Sequence, residues 1–394
     1  MHNRIYLDNS ATTRVEPEVA LLLQDFLINK FGNPSSMHTY GQEAHFALDT
    51  AREQIASVIG CHVGEIIFTS GGTEADNWVI KGIIAKNYPR LAKGEKIHIV
   101  TTAYEHSAIL STCKYLAKEG PYAENLEFTY INPDSKGYIQ PAEVEAALRE
   151  NTVLVSVMHI NNETGNVNDI AAIGKLCRNR QILFHTDAVQ SFTKEPIDIQ
   201  KMNIDLLSAS SHKIHGPKGV GFLYIRRGVK IAPNHTGGHQ EQNLRTGTEN
   251  LPGIAAFGKA AVLAKEAYKQ DKERIRGLKF RLHAAIKSEY PELLVNGDLE
   301  NGYCGILNLT FPGIEGEALA LSLDLEGIAV STGSACSTGS INPSHVLLAL
   351  GLKPELAQSS IRISLCKNNT AEEIETAIAA LTRIIKRLRS LTGR

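Results

Sequence analysis

Four short runs in this chain are apolar on both faces. They are Glu65-Ile66-Ile67-Phe68-Thr69, Ile97-His98-Ile99-Val100-Thr101, Val153-Leu154-Val155-Ser156-Val157 and Ile182-Leu183-Phe184-His185-Thr186. A strand with one wet face alternates apolar and polar residues, whereas a near-continuous β-rich run is buried on both sides. Stretches of helical periodicity lie between them, for example 75–85 and 170–180. That alternation predicts an α/β fold with a mostly parallel sheet covered by helices. Ligand groups then belong at the carboxyl ends of the strands.

A chain of 394 residues is too long for one hydrophobic core. Near residue 259 the character changes. A long charged helical stretch covers 260–290 and shorter strands follow, such as Gly305-Ile306-Leu307-Asn308-Leu309. An amphipathic helix closes the chain over 371–391. This part is expected to form a second, smaller α+β domain.

Composition removes several function classes. The chain is 43% hydrophobic and 21% charged, with a net charge of −1. No basic excess points to nucleic acid. No apolar run is long enough to span a bilayer, and residues 1–8 lack the apolar core of a secretory signal. Cysteines stand at 61, 113, 177, 304, 336 and 366, with no CxxC pair. That spacing suits a reducing cytoplasm better than a disulfide scaffold, and it offers no zinc ribbon or other metal centre.

The decapeptide Ser331-Thr332-Gly333-Ser334-Ala335-Cys336-Ser337-Thr338-Gly339-Ser340 contains no bulky side chain to bury. Its composition is that of a water-loving loop. Cys336 is therefore either an exposed thiol of no consequence or a nucleophile carried to a substrate on a flexible arm.

Three further segments carry chemistry. Residues 69–77, Thr-Ser-Gly-Gly-Thr-Glu-Ala-Asp-Asn, follow a strand and open a helix. Glycines and free helix N–H groups there can cradle a phosphate, and Thr73 and Asp76 have capping-box spacing. The plain alternative is a strand-to-helix turn. Asp187 ends a buried strand, either as a cap or as the partner of a cationic ring nitrogen. Gln190 lies three residues on and can donate to a phenolate oxygen. Lys213 sits in Ser208-Ala209-Ser210-Ser211-His212-Lys213, just before a Gly/Pro turn. It is either a surface charge or a Schiff-base amine, if desolvation lowers its pKa. A phosphate cradle, an Asp for a ring nitrogen and a lysine 26 residues later are the parts that pyridoxal 5'-phosphate needs. Arg362, alternating with apolar residues in Ser360-Ile361-Arg362-Ile363-Ser364, is an edge-strand charge or a fork for an amino-acid carboxylate.

With these residues in place the chain resembles the cysteine desulfurases of the NifS/IscS type, within the fold-type I aminotransferases. The likeness runs from Tyr6-Leu7-Asp8-Asn9-Ser10-Ala11-Thr12-Thr13, through Phe31-Gly32-Asn33-Pro34-Ser35-Ser36, to Ser359-Ser360-Ile361-Arg362. Thr69 to Glu74, Glu105-His106, Asn161-Asn162-Glu163, Asp187 to Gln190, Ser210 to Gly219, Arg245 to Thr248 and Gly333 to Cys336 carry it between. The resemblance implies a large cofactor-binding domain over 17–258. It implies a small domain of 1–16 with 259–394 that carries the cysteine loop.

It also implies roles. Lys213 binds pyridoxal 5'-phosphate covalently and shuttles protons. Asp187 pairs with the pyridinium nitrogen, Gln190 meets the phenolate oxygen, and His106 stacks on the ring and acts as acid/base. Gly72, Thr73, Ser210 and His212 hold the phosphate, joined by Thr248 from a partner subunit, so a homodimer is implied. Asn162 and Arg362 hold the carboxylate of L-cysteine. Cys336 attacks the substrate sulfur, alanine leaves, and a persulfide remains for a sulfur-acceptor protein that serves iron–sulfur or thio-cofactor assembly. The sequence has Ser-Thr-Gly-Ser-Ala-Cys-Ser-Thr where the family often has Ser-Ser-Gly-Ser-Ala-Cys-Thr-Ser. It stops at Arg394, where housekeeping members carry a longer tail, so the acceptor is left unnamed. A selenocysteine lyase uses the same framework. A plain aminotransferase needs no Cys336, and a non-catalytic relative has no need of Lys213, Asp187 and Cys336 together.

Overall fold

The computed structural model describes residues 4–332 and 342–391. Its centre is a seven-stranded sheet in the order Ile66–Thr69, Gly221–Ile225, Leu206–Ser210, Leu183–Asp187, Thr152–Ser156, Ile97–Thr102 and Leu126–Ile131. All pairs are parallel except the two made by Gly221–Ile225. Two antiparallel steps restore direction, so Ile66–Thr69 runs the same way as Leu206–Ser210. The four apolar runs read from the sequence are all strands of this sheet, each within a residue or so of its expected bounds. The α/β expectation is met, and the reason is the predicted one. Helices such as Gly72–Lys86 and Ile170–Asn179 bury the sheet on both faces.

A second, antiparallel sheet has the order Ser331–Thr332, Ser360–Ser364, Ile306–Thr310 and Leu294–Asn296. The N-terminal strand Ile5–Tyr6 pairs in parallel with Ile328–Ala329, and Asp8 bridges to Ser364. The first residues of the chain thus lie against this later part, with Leu7 buried among Leu307, Ile361 and Ile363.

One helix, Leu251–Glu289, serves both cores. Ile254, Phe257 and Ala261 pack under the large sheet, while Ile275, Leu282 and Ile286 pack with the small one. It begins nine residues before the charged stretch seen in the sequence, because the Asn250 side chain accepts from Gly253 N and Pro252 fills the first turn. The helix runs unbroken through residues 258 and 259.

The capping box expected from Thr73 and Asp76 does not form. The N-cap of Gly72–Lys86 is Gly71, with φ of 154° and no side-chain cap. A side chain at that φ is strained, so glycine is required. Thr73 and Asp76 are inside the helix. The reciprocal bond comes instead from Glu74, which accepts from Ser70 N at 2.7 Å.

Candidate active site

The carboxyl ends of the parallel strands converge on one cavity of about 370 Å³. Leu183–Asp187 delivers Asp187 at its last residue. Leu206–Ser210 delivers Ser210, and the 3₁₀ turn Ser211–Lys213 follows at once with His212 and Lys213. Ile97–Thr102 leads to His106, the N-cap of helix Ser107–Glu119. Ile66–Thr69 leads to Gly72 and Thr73 at a helix N-terminus. All of these line the cavity, together with Asn162, Gln190 and Arg362. Ten of the twelve site residues expected from the sequence therefore share one space.

The other two do not line it. Thr248 is exposed on the surface of this chain. Cys336 lies outside the described residues.

Lys213 Nζ donates to the backbone oxygens of Ser10 and Ala11, at 2.5 and 2.9 Å. The N-terminal segment is clasped to the lysine turn. Thr13 N donates to His212 O at 2.9 Å, and His215 N donates to Thr13 Oγ1 at 2.7 Å. Sequence reasoning gives Ser10 and Ala11 no role of their own, because a backbone carbonyl leaves no mark on residue type.

Asp187 is buried and accepts from Val189 N at 2.8 Å. Burial pushes its carboxyl up, and His106, the Val189 N–H and Lys213 oppose that. A cation placed against Asp187 would return it to the charged form. Burial holds His106 below its ordinary value. Its Nδ1 accepts from Ala108 N at 3.1 Å, so the neutral ring carries its hydrogen on Nε2. His106 thus meets the cavity as a proton donor.

Asp76 is a second buried acid in the same cavity, and sequence reasoning assigned it to a cap. Its Oδ1 has no hydrogen-bond partner among the described residues. His185 Nε2 approaches that oxygen at 3.7 Å, but this contact is not an ion pair. Burial pushes His185 down to about 3, so its ring is neutral at pH 7, and burial together with Asp187 pushes the Asp76 carboxyl well up, toward its protonated form. His185 is satisfied instead by Ser156 and Ser208, at 2.9 and 3.0 Å.

Arg362 is 3% exposed. Its Nη1 donates to Asn162 O at 3.0 Å and its Nη2 pairs with Asp8 at 2.8 Å. Its Nε is buried without a partner among the described residues, as is Asn162 Oδ1. A buried polar group left unpaired costs about 1–3 kcal/mol.

A family model described as Aminotransferase class-V matches residues 5–376. The chain belongs to this family. Within the class-V aminotransferases it is 48% identical over 394 residues to the cysteine desulfurase IscS of Photorhabdus laumondii, covering 98% of this chain and 94% of that one. A solved NifS-like protein superposes with a TM-score of 0.90 at 37% identity, covering 98% of this chain and all of that one. SspA in complex with cysteine superposes with a TM-score of 0.79 at 35% identity, covering 93% and 100%. The chain is a member of the IscS/NifS type, and these class-V enzymes depend on pyridoxal 5'-phosphate.

The residues fit that cofactor. A Cβ on Gly72 would meet Val189 Cγ2 at 2.5 Å, so the helix N-terminus is packed closely where a phosphate would sit. Lys213 would supply the amine, and Asp187 a buried carboxyl that a cationic ring would hold charged. Arg362 and Asn162 line the same cavity. Among the described residues no cluster of His, Cys, Asp and Glu is arranged for a metal, and no helix is long and apolar enough to cross a membrane.

Proposed function

We propose that this enzyme removes sulfur from L-cysteine, leaving L-alanine and a persulfide on Cys336. The observation that carries this reading is one cavity holding Lys213, Asp187 and an Arg362 whose buried Nε has no partner among the described residues. The cysteine complex of SspA supports cysteine as the substrate.

When bound, pyridoxal 5'-phosphate supplies an electron sink that loosens the bonds at the substrate Cα. Lys213 would hold the cofactor through its amine and carry the proton at the substrate Cα. Asp187 would pair with the ring nitrogen and keep that sink at full strength. Gln190 would donate to the phenolate oxygen. Gly72, Thr73, Ser210 and His212 hold the phosphate, and Thr248 completes that shell in a neighbouring subunit, which makes the working unit a homodimer. Arg362 and Asn162 orient the substrate carboxylate, and His106 Nε2–H donates a proton within the site.

The Cys336 thiolate attacks the substrate sulfur. An S–S bond forms, the C–S bond breaks, and its electron pair passes to carbon, where a proton completes alanine. No outside oxidant or reductant is needed, and the terminal sulfur passes on to an acceptor protein. Each of the five described cysteines is held as a neutral thiol by its environment: burial pushes Cys61, Cys113 and Cys177 up to about 12, Cys304 to about 11, and Cys366 upward. None of them is suited to be a thiolate at pH 7.

The test is purified protein supplied with pyridoxal 5'-phosphate and L-cysteine. Alanine and sulfide are expected in equal amounts with a thiol reductant present. Lys213→Ala should lose both the visible absorbance of the lysine-bound cofactor and all turnover. Turnover surviving in that variant would remove Lys213 from its role.

A further inference from the structure

Lys194 stands behind the cofactor lysine. It lines a second, narrower cavity of about 70 Å³ together with Ser10 and Lys213. Ser10 and Lys213 also line the first cavity, so they form the wall between the two. Through that wall runs a chain of polar contacts. Lys194 Nζ lies 3.4 Å from Gln190 Oε1, Gln190 Nε2 donates to Ser10 O at 2.8 Å, and the same oxygen accepts from Lys213 Nζ at 2.5 Å.

A carboxamide has an acceptor end and a donor end of nearly equal shape. Only the donor end attracts a phenolate oxygen. A carbonyl offers lone pairs alone, so Ser10 O demands the NH₂ end of Gln190 and leaves Oε1 to accept from Lys194, which donates as amine or ammonium alike. Its oxygen faces Lys194 and its NH₂ faces Ser10 and the cavity. The NH₂ carries two hydrogens, and Ser10 takes one.

We propose that Lys194 is a positioning residue: it anchors Oε1 of Gln190 and so keeps an N–H aimed at the phenolate oxygen of the cofactor on Lys213. This rests on the reading of Gln190 given above. The setting argues against a solubility role. The Lys194 ammonium lies over the Tyr303 ring, 5.7 Å from its centroid. Burial, with Lys213 nearby, pushes the amine down to about 7. A lysine so costly to charge is retained for what it touches.

The test is a double-mutant cycle on protein loaded with pyridoxal 5'-phosphate: wild type, Lys194→Met, Gln190→Ala and the double variant. The readouts are the position of the visible absorbance band and the retention of cofactor on equilibrium dialysis. Lys194→Met should move the band and weaken retention roughly tenfold, as for one lost hydrogen bond. In the Gln190→Ala background the same change should matter less than about twofold. Lys194→Arg, which keeps the donor, should restore most of the effect. A structural lysine would change the melting temperature and leave the band alone. Additive effects, or a band unmoved in Lys194→Met, would overturn the proposal. Lys194→Gln is read by the same criteria if Lys194→Met does not fold. Wild-type protein that takes up no cofactor would overturn the site reading and this inference together, whereas a normal band with additive effects sinks the inference alone.

Discussion

Arg362 and Asp8 form a 2.8 Å ion pair that ties strand Ser360–Ser364 to the N-terminal segment. The arginine is 3% exposed, and the aspartate shares it with the backbone oxygen of Asn162. Two of the guanidinium nitrogens are thereby committed, and Nε is buried without a hydrogen-bond partner among the described residues. Arg362→Ala should raise KM for cysteine on the order of 30-fold or more, the lower end of what removing one partner of a desolvated charge pair costs. Asp8→Asn should raise KM several-fold by loosening the same group while the cofactor absorbance stays in place. An unchanged KM in both variants would move Arg362 out of the substrate site.

Asp187 and Asp76 are two buried acids in one cavity, and their environments give them different duties. Burial and the nearby Asp187 push Asp76 well up, toward its protonated form, which an amide imitates. In the proposed mechanism Asp187 would be the anion against a cationic ring, and an amide cannot replace that. Asp187→Asn should lower kcat on the order of 10²-fold, the scale for losing one preorganised electrostatic partner. Asp76→Asn should cost at least tenfold less than that. Steady-state rates of the two folded, cofactor-loaded variants decide it, and equal losses would refute the division.

Glu105 sets a pH dependence of stability. Its carboxyl is buried, accepts from Met158 N and Thr102 Oγ1, and is pushed by burial up to about 8 from an ordinary 4.5. The folded state therefore holds this proton more tightly than the unfolded chain does. The contribution is full below about pH 4.5 and is lost as pH rises through about 8. Glu105→Gln removes the titration and keeps the acceptor. The fall in Tm from pH 5 to pH 9 should be smaller in the variant by a few degrees, roughly 1–3 kcal/mol. Buried His159 and His185, pushed down to about 4 and about 3, act in the opposite sense as pH falls below their ordinary range. Parallel melting curves across pH for wild type and variant would contradict the assignment.

Cys336→Ser should keep the cofactor's colour and bind cysteine, yet release no alanine, because a hydroxyl is a poor nucleophile toward sulfur. Alkylation and mass mapping after one turnover should find the extra sulfur, about 32 Da, on the peptide containing Cys336. The same mass on a peptide carrying Cys61, Cys113, Cys177, Cys304 or Cys366 would reject the mechanism.

Much of this protein is legible in its residues alone. The runs that start at 65, 97, 153 and 182 are apolar on both faces, and that property belongs to the residues themselves, so the parallel sheet follows from them. Asp187 stands out at the end of a buried strand and Lys213 in its small polar setting before a Gly/Pro turn, whereas His106 is legible only through the resemblance to the family. What the tertiary structure decided is the set of relations between distant segments. Thr73 and Asp76 have capping-box spacing, but Gly71 took the N-cap, and burial beside Asp187 raised the Asp76 carboxyl toward its protonated form. Ser10 and Ala11 act through carbonyl oxygens, which every residue type possesses. Lys194 is one of 41 basic residues in the sequence, and only packing against Gln190 and Tyr303 separates it from a surface charge. Residue type determines what a segment can do locally, whereas burial and partners more than a hundred residues away determine which of its groups are charged, oriented and left unpaired.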